Sequence, residues 1–415
     1  MSGIYYFTSV TANYIPKARI VARTLKQYDD RPFILALCDN IPENFDLATE
    51  PFDEIILTDK LSQIDDPQAF FFRHNVTEVC TAVKPYVALE IMDRYHTEKV
   101  CYLDPDIAVF SKLEELDGLL DRYSMIFTPH TTVPEEKHYF IRGNEALFLK
   151  RGTNNLGFFA VKGDNEGRRF LKWWAERLAN FCLDDDYTIL PLLDEQGLLG
   201  LFTDQKWIDM VPSFFDNYLI YKHPGYNVST WNLSNRVISG IGAKEETLKV
   251  NGEPLRFFHF SGVDSGAHMS VMQSLASEYS HVKSVLKLSK WYIDEENSAG
   301  QTELEKIEWK YARYDDGTLI HKTHRKVMQC RKDIIDVFPN PFEKHDGRCY
   351  YTWMMGEYGE LLAGAVMVRH TPPQPKGIFA FGKRILLLFV KPDSRLYMGL
   401  KRIWRALKIK QGKKQ

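Results

Sequence analysis

The chain has 415 residues, a formal net charge of −2, and 44% hydrophobic and 26% charged residues. This composition is that of an ordinary globular protein and excludes disordered and fibrous classes. No run reaches 18 consecutive apolar residues, so no membrane-spanning helix is expected. The six cysteines show no CxxC or metal-finger spacing, and MSGIYYFTSV leads directly into a strand. We therefore expect reduced thiols and a cytoplasmic location.

Charge is unevenly distributed along the chain. Residues 376–415 contain 12 basic residues and one acid, whereas the remainder contains 41 basic and 54 acidic residues. Apolar side chains recur at helical spacing in this tail, at Leu396, Leu400, Ile403, Trp404 and Leu407. This pattern predicts an amphipathic helix lying on an anionic membrane surface, and its apolar face argues against nucleic acid as the partner.

The first half of the chain alternates between strand-like and helix-like patterns. Apolar and β-branched runs predict strands at 4–10, 33–38, 53–59 and 124–130, with one further strand through VCYLDPDIAVF. Helical spacing covers 15–28 and 76–95. Strands alternating with helices predict an α/β fold with an open, mainly parallel sheet flanked by helices.

A second block continues without a compositional break. NNLGFFAVKG predicts a strand, residues 168–181 and 269–288 predict helices, and 201–211 predicts a turn that leads into a helix. We interpret residues 1–290 as one domain, 291–375 as a polar accessory segment with helical content, and 376–415 as the basic tail.

YLDPDIAVF places two carboxylates, Asp104 and Asp106, in an otherwise apolar strand. Buried acids are costly unless something compensates their charge. On one strand these two side chains point to the same side, where they are able to chelate a divalent cation. His259 of FFHFSG would complete a mixed nitrogen and oxygen ligand set suited to Mn²⁺ or Mg²⁺.

These motifs, in this order, resemble the GT-A-fold glycosyltransferases. The similarity is to the retaining family 8 enzymes and to bacterial transferases that build surface polysaccharides such as capsule, O-antigen and lipooligosaccharide. It covers roughly residues 4–265. The motifs that carry it are FTSVTANY, VKPYVALEIMDRY, YLDPDIAVF, NNLGFF, LFTDQKW and HFSG.

The resemblance implies a role for each matching residue. The nucleotide and donor contacts would be Thr8, Asn13, Tyr14, Lys84, Asp104 and Gly157. The catalytic residues beside the sugar would be Asn155, Asp204 and Gln205. The metal ligands would be Asp104, Asp106 and His259.

One departure concerns the diphosphate. The family often follows its histidine motif with Lys-Pro-Trp, whereas GVDSGAH follows here. The diphosphate contact would then come from Lys84, Lys206 or His268. The resemblance implies retention of anomeric configuration; inversion would need a carboxylate base, with Asp204, Asp209 or Asp264 as candidates.

GYNVSTWNLSNR combines aromatic rings with amides, a pattern that suits stacking on sugar rings. Tyr226, Trp231 and Asn232 are the candidate contacts, and core packing is the alternative. The two Asn-X-Ser sequons, at Asn227 and Asn232, are chance matches in a cytoplasmic protein.

The sequence thus predicts a metal-dependent glycosyltransferase at the inner face of the cytoplasmic membrane. It would transfer a sugar from a nucleotide donor, with a UDP-sugar favoured, to a lipid-linked or polysaccharide glycan. Two alternatives remain open. A nucleotidyltransferase uses the same type of acid pair, although FTSVTANY lacks the expected glycines. A non-catalytic, membrane-associated glycan-binding protein is the other.

Overall fold

The computed structural model describes residues 3–184, 200–242 and 247–367. The chain divides into two compact units, Met1–Leu362 and Ala363–Gln415. The basic tail predicted at 376–415 lies outside the described residues, so its amphipathic helix stays a prediction. No helix within the described ranges combines the length and apolarity needed to cross a membrane.

Within the described ranges, twelve strands form three sheets. They are β1 (Ile4–Val10), β2 (Phe33–Leu37), β3 (Glu54–Leu57), β4 (Lys99–Leu103), β5 (Ile107–Val109), β6 (Met125–Pro129), β7 (Asn154–Lys162), β8 (Tyr218–Ile220), β9 (Ile238–Ser239), β10 (Lys249–Val250), β11 (Glu253–Pro254) and β12 (Phe257–His259). The α-helices are Ile15–Lys26, Pro67–Arg73, Val76–Ala82, Lys84–Arg94, Leu116–Arg122, His138–Phe140, Ala146–Arg151, Asn165–Phe181, Val211–Phe214, Ala267–Glu278, Val282–Ser298, Gln301–Leu304, Lys322–Cys330 and Tyr350–Met367.

The main sheet has seven strands in the order β3-β2-β1-β4-β7-β6-β8. Strand β7 runs antiparallel to its neighbours β4 and β6, and the other four pairings are parallel. The predicted α/β fold with a mainly parallel sheet is therefore confirmed. Strands β1 and β4 are adjacent and parallel, so their carboxyl ends meet at one edge.

Helices bury both faces of the sheet. On one face, Tyr6 and Val10 pack with Ile15, Ala18 and Val21 of helix Ile15–Lys26. On the other face, Phe7 packs in a cluster with Val87 and Ile91 of helix Lys84–Arg94 and with Phe170 and Trp174 of helix Asn165–Phe181. Because both faces are covered, the strands contain continuous apolar runs rather than alternating ones.

YLDPDIAVF does not form the single strand that we predicted. Its first part is β4 of the main sheet, and its last part is β5, which leaves that sheet and pairs antiparallel with β12. Asp104 and Asp106 lie in the turn between the two strands, closed by a hydrogen bond from the Ile107 amide to the Asp104 carbonyl (3.1 Å). Pro105 has no N–H to donate to a ladder, which favours a break at this point.

Two predicted helices are each divided. Residues 76–95 form Val76–Ala82 and Lys84–Arg94, and Pro85 stands in the first turn of the second helix, where a missing N–H costs nothing. Residues 269–288 fall in Ala267–Glu278 and Val282–Ser298. The predicted strands at 4–10 and 124–130 closely match β1 and β6.

Compact packing continues well past residue 290. The indole of Trp309 donates to the Cys38 carbonyl after β2 (2.9 Å), and Arg325 donates to the Phe72 carbonyl (2.8 Å). Lys326 forms a buried ion pair with Glu78. Met1–Leu362 thus pack as one compact unit, and the division at 290/291 into a transferase domain and an accessory segment stays a prediction.

Candidate metal centre and active site

The pairing of β5 with β12 brings His259 to the two acids. His259 lies opposite Ile107 in this ladder, and the Phe260 amide donates to the Asp106 carbonyl (2.8 Å). The His259 Nε2 is 2.9 Å from Asp106 Oδ1 and 3.7 Å from Asp104 Oδ2. One ligand atom from each residue lies within 4.8 Å of the others, so the predicted convergence is confirmed.

Opposite charges dominate the electrostatics of this cluster. Burial by itself would lower the pKa of His259, but Asp106 and then Asp104 raise it above its usual value. Burial by itself would raise the pKa of Asp106, but His259 lowers it to about 2. The two acids therefore favour the protonated form of the His259 ring when no cation is bound.

The donor set fits a hard divalent cation. The side chains of Asp104 and Asp106 are 24% and 20% exposed, and His259 is 4% exposed. The His259 Nδ1 lies 3.4 Å from Asn227 Oδ1, so Nε2 is the ring nitrogen that faces the carboxylates. Two carboxylates and one imidazole are ligands that suit Mn²⁺ or Mg²⁺.

Lys84 forms a buried ion pair next to this cluster. Its Nζ is 2.8 Å from Asp204 Oδ2 and 3.4 Å from Asp104 Oδ1, and it donates to the Leu156 carbonyl (3.0 Å). Burial favours neutral lysine, but Asp104 and Asp204 outweigh it and raise the pKa of Lys84. Lys84 therefore joins Asp204 to the turn that carries Asp104, and its predicted contact with a donor stays a prediction.

Asp204 and Gln205 are both buried. Burial raises the pKa of Asp204 despite the opposing effect of Lys84, and Thr203 donates a hydrogen bond to its Oδ1 (3.1 Å). The Gln205 amide donates to the Arg151 carbonyl (2.9 Å). Lys84 thus brings Asp204, predicted as catalytic, to the edge that carries Asp104.

The other acids named as alternative bases have protein partners. Asp209 accepts hydrogen bonds from the Thr153 amide and hydroxyl and from Lys206, at 2.8–3.0 Å. Asp264 accepts from the Tyr14 hydroxyl at 2.5 Å and forms an ion pair with Lys17. Lys206, a diphosphate candidate, is thus already bonded to Asp209.

The residues predicted to contact the nucleotide occupy two positions relative to β1. Thr8 lies inside the strand and is fully buried. Asn13 and Tyr14 lie in the helical turn Ala12–Tyr14 that directly follows β1, and Thr11 donates to Asn13 (2.7 Å). His268, a diphosphate candidate, instead bonds Ser289 at 2.8 Å.

Gly157 of β7 lies against the ring of His259, and Asn155 is hydrogen-bonded to Gly157 beside it. The Asn155 Oδ1 accepts from the Gly157 amide (3.1 Å) and from Asn227 (3.0 Å). A Cβ at Gly157 would lie 2.5 Å from the His259 ring, so only glycine fits. The Asn155 Nδ2 lies 3.4 Å from the ring of His130.

For two of the three candidate sugar contacts, burial favours the core-packing alternative. Tyr226 is fully buried and donates to Glu115 (3.1 Å), and Asn232 is buried and donates to the His130 carbonyl (3.0 Å). The Trp231 ring does border the site, with its centroid 5.3 Å from that of His259. Neither sequon asparagine is exposed, in agreement with chance matches.

Sequence reasoning missed several residues of the site. Tyr102 donates to Asp104 (2.7 Å), and its place two residues earlier, on the same face of the strand, was a usable signal. Lys17 stands three residues after Tyr14 at helical spacing, which also indicated a shared face. Asn227 and His130 carried no local signal, because their partners come from distant strands.

The fold and site thus define a class: an α/β protein with a candidate divalent-cation centre at the carboxyl edge of a mainly parallel sheet. No family model matches the chain. Two proteins of Bacillus subtilis (strain 168), both described as uncharacterized, are similar in sequence. YfnD is 24% identical over 265 residues, which are 63% of this chain and 78% of YfnD. YfnF is 26% identical over 194 residues, which are 45% of this chain and 57% of YfnF.

The solved structures similar to the chain include three glycosyltransferases. The galactosyltransferase LgtC, in complex with donor and acceptor sugar analogs, is 13% identical and covers 74% of this chain and 98% of LgtC, with a TM-score of 0.41. Mouse xyloside xylosyltransferase 1 is 12% identical, and the match covers 63% of this chain and 98% of that enzyme, with a TM-score of 0.36. A glycosyltransferase involved in glycosylation of the PBCV-1 major capsid is 11% identical, covers 65% and 99%, and has a TM-score of 0.32. At such scores, the activity must be argued from the site itself.

Proposed function

We propose that this chain is a metal-dependent glycosyltransferase that moves a sugar from a nucleotide-diphosphate donor, with UDP favoured, to a glycan acceptor. The observation that carries the proposal is the convergence of Asp104, Asp106 and His259 next to the buried Lys84–Asp204 pair. In open α/β sheets, ligands bind outside the carboxyl ends of the strands, which is where β4 ends in these two acids.

Asp104, Asp106 and His259 would hold Mn²⁺ or Mg²⁺. When bound, such a cation neutralises diphosphate charge and stabilises a phosphate leaving group. The protein's own part is to hold the ligands: Tyr102 donates to Asp104 (2.7 Å), and the β5–β12 pairing fixes Asp106 against His259. Rigid, pre-oriented groups act at the reacting centre without costly rearrangement.

Asp204, Gln205 and Asn155 would act on the sugar side. A glycosyl centre passes through an oxocarbenium-like state, which the Asp204 carboxylate and the Gln205 amide oxygen would stabilise. The Asn155 oxygen is occupied by Gly157 and Asn227, so Asn155 would donate its remaining N–H to a sugar oxygen. We propose retention of configuration, because all three acids named as inverting bases, Asp204, Asp209 and Asp264, are bonded to protein donors. The anomeric form of the product, followed by NMR before mutarotation, tests this point.

The nucleotide would lie near the end of β1, against Asn13 and Tyr14, with Thr8 in the strand below and Gly157 across from it. The diphosphate would lie next to the metal ligands and Lys84. The acceptor is proposed as a lipid-linked or polysaccharide glycan. We also propose that residues 376–415 attach the protein to the inner face of the cytoplasmic membrane.

Hydrolysis of a UDP-hexose in the presence of Mn²⁺ tests the activity directly. We expect the 415-residue protein to release UDP slowly and the Asp106→Asn variant to be at least about 100-fold slower. Loss of a residue that only supports a metal ligand lowers activity by about 10- to 100-fold, and loss of the ligand itself should cost more. Asp333→Asn is the matched control, because Asp333 is exposed and its ion pair among the described residues is with Arg331. Full turnover by folded Asp106→Asn would overturn the metal assignment.

Ligand-induced thermal shifts separate the alternatives. A ligand that binds only the folded protein raises its melting temperature. Stabilisation by UDP with Mn²⁺ supports the glycosyltransferase, whereas stabilisation by a nucleoside triphosphate with Mg²⁺ supports a nucleotidyltransferase. Stabilisation by glycans alone would indicate a binding protein without transferase activity.

A further inference from the structure

We propose that Asn227 is a positioning residue that keeps the Nδ1 of His259 protonated and thereby reserves Nε2 for the metal. This inference rests on the metal centre of the proposed function and adds a residue outside its ligand set. Asn227 is fully buried and lies 3.4 Å from His259 Nδ1 through its Oδ1. The direction of that hydrogen bond follows from a series of hydrogen bonds through Asn155. The series begins at a backbone N–H, which can only donate, and ends at a backbone carbonyl, which can only accept.

The first end is the backbone amide of Gly157. A backbone N–H can only donate, so the atom of Asn155 that it meets at 3.1 Å is the oxygen, Oδ1. The same oxygen is 3.0 Å from Asn227 Nδ2, which must therefore be the donor of that bond. The orientation of both side-chain amides is thus determined.

The other end is the backbone carbonyl of Thr153. A carbonyl can only accept, so the Nδ1 of His130, at 3.2 Å, carries a proton. Burial lowers the pKa of His130 to about 4, so the ring is neutral at pH 7 and its Nε2 has a free lone pair. The Asn155 Nδ2, at 3.4 Å, donates to it. Both ends therefore give the same orientation for Asn155.

The consequence for Asn227 is that its nitrogen is fully used. Nδ2 donates to Thr128 Oγ1 (2.9 Å) and to Asn155 Oδ1 (3.0 Å), which leaves only Oδ1 for His259. An amide oxygen can only accept, so His259 must keep the proton on Nδ1. A metal-binding histidine whose other nitrogen donates to an oxygen is held in one tautomer and one orientation.

The backbone supports this arrangement. Asn227 has a φ of 52°, a left-handed conformation that asparagine tolerates better than most residues. Two residues later, Ser229 donates to the His259 carbonyl (2.6 Å).

The same series of hydrogen bonds also restricts Asn155. Its oxygen accepts from Gly157 and Asn227 and one of its N–H groups donates to His130, so one N–H remains to donate to a sugar oxygen.

The decisive variant is Asn227→Gly, which removes the side chain and still accepts the positive φ. The matched control is Asn251→Gly: Asn251 is exposed, has nearly the same φ, 51°, and its side chain bonds Val237 and Asn235 within the described part of the chain. Mn²⁺ alone is titrated into each full-length protein, and free Mn²⁺ is followed by electron paramagnetic resonance. We expect about 10- to 100-fold weaker binding in Asn227→Gly and unchanged binding in the control. Asn227→Asp keeps an acceptor and should bind Mn²⁺ more tightly than the glycine variant.

A second measurement does not depend on metal or turnover. In metal-free protein with ¹⁵N-labelled histidine, NMR should detect a His259 Nδ1 proton protected from exchange with water, and Asn227→Gly should lose that protection. Equal protection in both, or equal Mn²⁺ affinity in a folded variant, overturns the role of Asn227. If the unsubstituted protein binds no Mn²⁺, the metal assignment of the proposed function is wrong, and the NMR result alone decides whether Asn227 orients His259.

Discussion

Gly157 lies directly against the imidazole of His259. A Cβ built on Gly157 would be 2.5 Å from His259 Cε1, 2.7 Å from its Nδ1 and 2.8 Å from the Asn155 Oδ1. Real side chains do not approach so closely, so the glycine is required by contact rather than by backbone conformation. Because Gly157 has no side chain, β7 of the main sheet can lie directly beside His259 of β12 in the two-stranded sheet.

Gly157→Ala should displace the His259 ring. We expect a loss of about 1–3 kcal/mol in the free energy of unfolding from overpacking, and a decrease of about 10- to 100-fold in Mn²⁺ affinity. Gly118→Ala is the control, because a Cβ there meets nothing within 4 Å. Urea unfolding and Mn²⁺ titration measure the two effects, and unchanged values in both would contradict the steric argument.

Lys84→Met should be strongly destabilising. Breaking a buried pair leaves Asp204 charged without compensation, which costs about 3–5 kcal/mol, whereas replacing both partners costs much less. Lys84→Met with Asp204→Leu should therefore recover most of the loss in chemical denaturation. Lys99→Met is the control: its partner Asp121 is 67% exposed, and such pairs contribute at most about 1 kcal/mol. If the double variant loses as much free energy of unfolding as the two single variants added together, the interpretation is wrong.

His130 should make the protein less stable in mild acid. In the unfolded chain its imidazole takes up a proton near pH 6.5, whereas in the folded protein its pKa is about 4. Between these values the unfolded state binds more protons, so stability decreases as the pH falls, by about 3 kcal/mol in total. His130→Gln removes this contribution. Urea unfolding at pH 7 and 4.5 should show a smaller difference in the variant, and equal differences would contradict a buried neutral ring.

Arg325→Met should destabilise Met1–Leu362 as a whole. The guanidinium is buried and donates to the carbonyls of Phe71, Phe72, His74 and Tyr311. Leaving buried carbonyls without a donor costs about 1–3 kcal/mol for each such group. Arg313→Met is the control, because Arg313 is exposed and bonds Glu308 and the Gly317 carbonyl. A single cooperative transition with a lower midpoint is expected. Separate melting of residues 301–362 would show that they form an independent domain.

The sequence predicted much of the fold because periodicity is local. Apolar runs and their spacing reveal strands β1 and β6 and the helix Asn165–Phe181. The alternation of strands with helices also indicates that the sheet is mainly parallel. The ligand types were equally visible, since two acids and a histidine are exceptional in apolar strands. In YLDPDIAVF, however, the pattern alone could not reveal that β4 and β5 belong to different sheets.

By itself, the sequence determined where elements such as β1, β6 and the helix Asn165–Phe181 lie and which side chain types could bind a metal, because both depend on residue type and short-range spacing. Only the tertiary structure decided which side chains meet. The β5–β12 pairing places His259 against Asp106, burial pairs Lys84 with Asp204, and β7 brings Asn155 to Asn227, 72 positions away. Those contacts depend on strand register and on packing between distant segments, which no local pattern encodes.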